Sequence, residues 1–195
     1  MNRYLEPMRG LHTFIRAMPH FLAAMPSAHV VVVGTDSGPA YGPGPAGGGT
    51  WKDAMIAEIA DKVDLKRIHF VGRIPYEVLI GLLGVSTAHI YLTYPFVPSW
   101  SLLDAMACEC LVLGSNTAPV REIIEDGRNG LLVDFFDHRA LADRLVEVCT
   151  SPDAYGDIRR AARQTIVDRF DRNRVCLPAW KSLLAETMLG WQNSS

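Results

Sequence analysis

The chain has 195 residues, 49% of them hydrophobic and 21% charged, with a formal net charge of −2 at pH 7. That length and apolar content suit one substantial core in one domain spanning residues 1–195. The near-balanced charge excludes a nucleic-acid footprint, and no apolar run reaches the length that crosses a bilayer, so a cytoplasmic protein with at most peripheral membrane contact is expected.

In chain order, the first feature is a pair of cations, Arg3 and Arg9, flanking a short turn that ends at Gly10. Two arginines near a terminus are most often a solvated face. Five β-rich runs follow, at 29–34, 68–72, 89–94, 110–115 and 130–134. Helical patterns over 10–25, 51–63, 76–83, 99–108, 119–125 and 138–149 separate most of them. Such alternation predicts an α/β fold: a doubly wound, Rossmann-like parallel sheet with helices on both faces. Two more helices, near 154–170 and 173–189, close the chain, which divides into a core over 1–170 and a C-terminal helix and tail over 171–195. No internal repeat is visible.

Residues 37–50 form the one low-complexity stretch. It contains a literal Gly-x-Gly-x-x-Gly at Gly42, Gly44 and Gly47, between a strand and a helix, which invites a dinucleotide-binding reading. Two features oppose it: the motif begins well after the strand ends, and Pro43 and Pro45 stand where a phosphate turn needs free N–H groups. The next strand also ends in Phe70, Val71, Gly72 and Arg73, without the acidic residue that would hold an adenosine ribose. A mobile loop able to cover a ligand is the competing expectation.

Residues 94–124 carry the most information. They read as a strand end, a Pro-broken loop, an almost wholly apolar helix, a second buried strand and another helix. Between 99 and 109 the polar side chains are Ser99, Ser101 and Asp104 in the first turn, and Glu109 at the far end. Polar groups kept at the mouth of a buried helix suit an anionic ligand, which the free N–H groups and the positive dipole end favour. Ser101 followed by Asp104 is equally a capping-box spacing, which needs no ligand. Sequence leaves both readings open.

Four cysteines at 108, 110, 149 and 176 have neither zinc-site spacing nor disulfide density, so buried reduced thiols are expected. Six histidines include no His-x-x-x-His pair, and a metal site is not expected. The arginines at 159, 160, 163, 169, 172 and 174 interleave with aspartates and read as a solvated helix face, with weak attraction to anionic lipid as the lesser alternative. Trp180, Leu184, Met188 and Trp191 repeat at helical spacing, a stripe either folded onto the core or offered to a partner.

The stretch from Leu102 to Cys108, followed by Val112, Ser115 and the helix start at Thr117, resembles the donor-binding signature of retaining glycosyltransferases of family 4. These are GT-B proteins with two Rossmann-like lobes. In that family two glutamates separated by seven residues frame a nucleotide-sugar, and Asp104 falls on the second, which holds the ribose hydroxyls. The first glutamate position holds Phe96, and a phenyl ring cannot accept a hydrogen bond from a sugar hydroxyl. The variant around Phe96, Ser99, Trp100 and Ser101 also resembles a bacterial branch of the family. Arg3 to Gly10 resembles the family's Arg…Lys-Gly turn, where two cations grip the donor diphosphate, with Arg9 at the lysine position.

The resemblance covers the C-terminal, donor-binding lobe over nearly the whole chain, and nothing here matches the N-terminal acceptor lobe. It implies a metal-independent hexosyl transfer from a nucleoside-diphosphate sugar to a glycan or lipid-linked acceptor, with no cofactor. The implied catalytic residues are Arg3 and Arg9; the implied donor-binding residues are Gly72, Arg73, Ile74, Ser99, Trp100, Ser101, Leu103 and Asp104. A separate N-terminal lobe, or a self-dimer through the last helix, is the implied partner. The alternative is a non-catalytic remnant or partner subunit that keeps the fold and at most binds nucleotide. The family's first strand, expected near the middle of the sheet, would end at Arg3 with only two residues before it, which predicts a gap or an unusual edge.

Overall fold

A computed structural model of the chain describes residues 4–36, 41–94 and 97–192, the last four of these as backbone only. After a 3-10 turn at Pro7–Arg9 come α1 (Leu11–Ala24), β1 (Val30–Val33), α2 (Trp51–Ala57), β2 (Ile68–Gly72), α3 (Tyr76–Val85), β3 (His89–Tyr91), α4 (Trp100–Ala107), β4 (Val112–Ser115), α5 (Ala118–Arg121), β5 (Leu131–Val133), α6 (His138–Thr150), α7 (Gly156–Phe170) and α8 (Leu177–Gln192). A π-helical turn at Arg172–Cys176 leads into α8.

All strand pairs are parallel. β1 pairs with β2, Val30 opposite Ile68, and β3, β4 and β5 pair in that order, with Leu113 of β4 opposite Ile90 and Leu131. Every residue of β4 is buried because both faces are covered, which is why parallel strands read as continuous apolar runs. Leu113 belongs to a core with Leu11, Ile15 and Met18 of α1, Met55 of α2 and Leu141 and Leu145 of α6. Its neighbour Val112 points the other way, into a core with Leu79 and Leu83 of α3, Leu102 and Met106 of α4, Val120 of α5 and Ala162 of α7.

The doubly wound layer is therefore present, with one correction. Among the described residues the strands form two sheets, β1-β2 and β3-β4-β5, and no strand joins β1 to β3. The expected break falls at the centre, between the two innermost strands.

Local corrections are small. The helix expected over 51–63 ends at Ala57: Ile59 N–H turns back to Ile56 O and Lys62 N–H to Ile59 O, and these tighter bonds swing Ile59 into the core. The arginines of α7 are more than a solvated face. Arg159 donates to Thr87 O at 2.8 Å and Arg169 to Glu122 O at 2.9 Å, and Arg163 reaches Ala107 O. These carbonyls lie at or just beyond the C-terminal ends of α3, α5 and α4, where a guanidinium satisfies orphan acceptors and meets the negative end of the dipole.

The stripe on α8 lies in solvent and not on the core: Trp180 is 62% exposed, Leu184 57% and Met188 69%. The side chain of Trp191 lies outside the described residues. The four cysteines are free; Cys110 is fully buried, and burial pushes its thiol up to about 12, whereas Cys108, Cys149 and Cys176 are only half-buried. Among the described residues no helix is long and apolar enough to cross a membrane.

Candidate functional site

The carboxyl ends of the strands and the helix mouths above them gather most of the predicted residues. The Pro7–Arg9 turn is tied to the ends of two strands: Leu5 N–H donates to Thr35 O at 2.9 Å, and Tyr94 N–H donates to Met8 O at 2.8 Å. Gly10 closes the turn in the left-handed region, at φ 73°. A Cβ placed there would lie 2.2 Å from Leu92 Cβ, so both the conformation and the space require glycine. This turn aims Arg9 and the first N–H groups of α1 at one edge of the fold, where helix geometry leaves the amides of His12 and Thr13 without intrahelical acceptors.

Arg9 is 21% exposed and faces Glu6, a fully buried carboxylate whose Oε1 lies 3.3 Å from Arg9 Nε. Glu6 Oε2 accepts from Tyr41 N–H at 2.7 Å, which fastens the start of the Gly-Pro loop beneath the arginine. Glu6 was not foreseen; a glutamate between Leu5 and Pro7 looks like surface, and its burial appears only when residue 41 packs over it. Arg3 lies outside the described residues, as does Phe96.

The mouth of α4 supplies the second wall. Ser99 sits at the N-cap position in extended conformation, but its hydroxyl meets the Ser101 hydroxyl at 2.9 Å and caps no backbone N–H; its own N–H donates to the Tyr91 hydroxyl at 2.8 Å. The capping-box reading of Ser101 with Asp104 is thereby excluded, since Ser101 lies inside the helix and no side chain caps it. Ser101 is buried, Leu103 packs partly against the second core, and Trp100 stands 85% exposed.

Asp104 accepts from the Tyr76 hydroxyl, Oδ1 at 3.0 Å. That hydrogen bond raises the Tyr76 pKa above the usual phenolic value, because ionisation would set two negative charges face to face. It also brings the first turn of α3, and with it the Gly72–Ile74 turn, beside the α4 mouth. Gly72 leaves β2 at φ 68° and its carbonyl accepts from Gly34 N–H at 2.9 Å. Ile74 packs against the second core, whereas Arg73 is exposed and makes no hydrogen bond or ion pair among the described residues. Tyr76 was also missed: it lies 28 residues from Asp104 and its exposed helix start carries no local signal.

Beneath the mouth, Ser115 Oγ accepts from Thr93 N–H and donates to Thr93 O, both at 3.1 Å, carrying the β3–β4 pairing past the end of the ladder. Within the glycine motif Gly42 stands at φ 92°, a conformation that favours glycine. A Cβ at Gly42, Gly44 or Gly47 would meet nothing within 4 Å, so no packing there requires glycine. Tyr41 and Trp51, whose Nε1 donates to Pro43 O at 3.3 Å, hold the flanks of the loop. Among the described residues no three His, Cys, Asp or Glu side chains group as a metal site.

The sequence profile of the glycosyl transferases group 1 family matches residues 2–165. The chain is 25% identical over 181 residues to a glycogen synthase of Mycobacterium tuberculosis, covering 93% of this chain and 41% of that protein. It is 26% identical over 170 residues to a GDP-mannose-dependent phosphatidylinositol monomannoside mannosyltransferase of Corynebacterium glutamicum, covering 83% and 39%. The chain thus spans about two fifths of the length of these curated relatives.

Among solved structures, HepE of Anabaena in complex with UDP-glucose superposes with a TM-score of 0.75 at 19% identity, over 96% of this chain and 47% of that one. The C-terminal domain of a group 1 glycosyl transferase, LpcC of Francisella tularensis, gives 0.74 at 19% identity, over 88% and 84%. The family profile and the fold similarity agree: this chain belongs to the glycosyl transferases group 1 family and has the fold of the C-terminal lobe of a GT-B glycosyltransferase.

Proposed function

We propose that this lobe binds a nucleoside-diphosphate sugar at the strand-end edge and serves a retaining, metal-independent transfer of its hexose to a glycan or lipid-linked acceptor on the cytoplasmic side. The observation that carries the reading is the convergence of Arg9 and the N-terminus of α1 with the mouth of α4 on one edge of the fold. Arg9, Arg3 and the α1 amides neutralise the departing diphosphate, which in the absence of a metal requires fixed cations and oriented N–H groups. The backbone of the Gly72–Ile74 turn receives the base, the Ser99–Ser101 mouth assists at the phosphates, and Leu103 supports the floor.

Asp104 holds the ribose. Tyr76 occupies Oδ1, which leaves Oδ2 to accept a ribose hydroxyl. In the transfer, the acceptor oxygen bonds to the anomeric carbon on the face from which the phosphate leaves, the carbon–phosphate-oxygen bond breaks, and the acceptor proton passes to a β-phosphate oxygen. The acceptor is held by a second lobe, supplied by further polypeptide or by a partner.

Two observations favour the second reading, a nucleotide-binding subunit that transfers nothing: Glu6 already lies against Arg9, and Phe96 occupies the position where the family's first glutamate would hold the sugar. Calorimetric titration with UDP, GDP and their sugar conjugates, without metal and with NAD as control, tests both. Binding of one nucleoside diphosphate supports the donor lobe, and its absence in a folded chain overturns it. Arg9→Ala should lower that affinity roughly 10- to 100-fold, the worth of a charge-assisted hydrogen bond. Cys110→Ser, far from the edge, should leave it nearly unchanged; equal losses from both would mean general destabilisation. Sugar transfer to any acceptor would eliminate the non-catalytic reading.

A further inference from the structure

The amino ends of β1 and β2, at the far side of the sheet from the strand-end edge, bring two histidines together. Val31 stands opposite His69 in the parallel ladder. Side chains alternate along a strand, so His29, two residues before Val31, shares a sheet face with His69. Their rings stack at 24° with centroids 5.3 Å apart, and His29 Nδ1 lies 3.0 Å from His69 Nε2. Both residues are exposed.

The backbone beneath the pair is fastened. Arg67, one residue ahead of β2, donates from Nε to Ala28 O at 3.0 Å and from Nη1 to Leu22 O at 2.9 Å, which ties the entry of β2 to the entry of β1 and to the end of α1. The two imidazoles therefore converge from a braced ladder, where ligand positions are held more closely than on loops.

A hydrogen bond between neutral rings accounts for the contact without any ligand, one N–H donating to the other ring's lone pair. An exposed bond of that kind contributes little, since water offers the same partners. The same two nitrogens are also metal ligands. Imidazole nitrogens bind zinc at about 2.0–2.1 Å, so two of them at about a right angle around one ion stand about 2.9 Å apart. The observed spacing is 3.0 Å. Each ring has only to swing about its Cβ–Cγ bond, a broad torsion, to aim its lone pair at the ion. The proton of the hydrogen bond then moves to the outer nitrogen of its own ring, so both imidazoles stay neutral and no proton is released.

We propose that His29 and His69 form an open binding site for a divalent ion of the zinc, nickel and copper class, with water in the remaining positions. Magnesium is not held, because a hard ion prefers oxygen ligands. The partners are 40 residues apart in the chain, beyond any spacing rule for metal motifs. The site lies at the opposite end of the strands from the edge proposed to bind the donor and does not depend on what that edge binds.

The test is calorimetric titration of zinc and nickel chlorides into the chain, freed of any affinity tag, with magnesium as control. One ion should bind per chain, and magnesium should give no heat. His29→Gln and His69→Gln should each weaken binding by more than about tenfold, whereas His138→Gln, an exposed histidine elsewhere, should match the parent. The melting temperature should climb with zinc in the parent and not in either pair variant, since an ion held only by the folded state stabilises it. Should a variant fail to fold, equimolar copper on the parent decides: paramagnetic resonance should show coupling to two imidazole nitrogens. A spectrum without that coupling overturns the proposal. So does a folded parent that binds no ion, which leaves a hydrogen-bonded pair only, or binding that survives both substitutions, which places the ion at the half-buried thiols or another group.

Discussion

Gly10 is where sequence, packing and site meet most tightly, and replacing it by alanine is a sharp perturbation. Its backbone is left-handed. Holding an L-residue in that conformation costs about 1–2 kcal/mol. The new Cβ would also stand 2.2 Å from Leu92 Cβ, where ordinary contact begins at 3.4 Å, so the turn or the strand end must move to make up the difference. Leu92 cannot relieve this by changing rotamer, because Cβ is fixed to the backbone. Overpacking of that kind adds about 1–3 kcal/mol. The total, about 2–5 kcal/mol, is a large part of the roughly 5–15 kcal/mol of a typical domain. Urea unfolding followed by far-UV circular dichroism gives the value from the midpoint at unchanged m. Gly81→Ala is the matched control: it lies within α3, and its Cβ would meet nothing within 4 Å. That change should stabilise the fold by about 0.5–1 kcal/mol. A loss below about 1 kcal/mol for Gly10→Ala, or its full rescue by Leu92→Ala, which keeps the offending Cβ, would refute the reasoning.

Ser115→Ala removes both bonds to Thr93 and strands a buried N–H. Unfolding free energy should fall by about 1–3 kcal/mol in the same assay, with a smaller loss for Ser115→Thr if its hydroxyl is accommodated. Burial lowers the pKa of His89 to about 3 from 6.5, so the folded state resists a proton that the unfolded chain accepts. Stability from this group is complete above pH 6.5 and is lost as pH falls toward 3, at up to about 1.4 kcal/mol per unit. Acid titration of stability should show this limb, and His89→Gln should flatten it. Replacing Trp180 and Leu184 by serine removes apolar groups that stand in solvent. Stability should therefore change by no more than about 0.5 kcal/mol, the range of surface substitutions. A large drop in melting temperature would show that α8 packs on the body of the fold.

Much of this molecule is local enough to be legible in its sequence. β4 announces itself because a strand covered on both faces must be largely apolar, and the helices follow from their spacing and caps. The family was legible in the residues around Asp104, because the stretch that resembles its signature is contiguous along one short segment of chain. What the tertiary structure decided involves partners far apart in sequence. Asp104 is engaged by Tyr76 and Arg9 by Glu6 and, through it, residue 41; the arginines of α7 close three other helices; and the stripe on α8 is left in water. None of these follows from periodicity, since a side chain's partner depends on which element folds over it. The split at the centre of the sheet shows both sides of the division: the family resemblance predicted a gap or an unusual edge, but only the three-dimensional arrangement shows β1 and β3, each paired on one side, facing a largely apolar cavity.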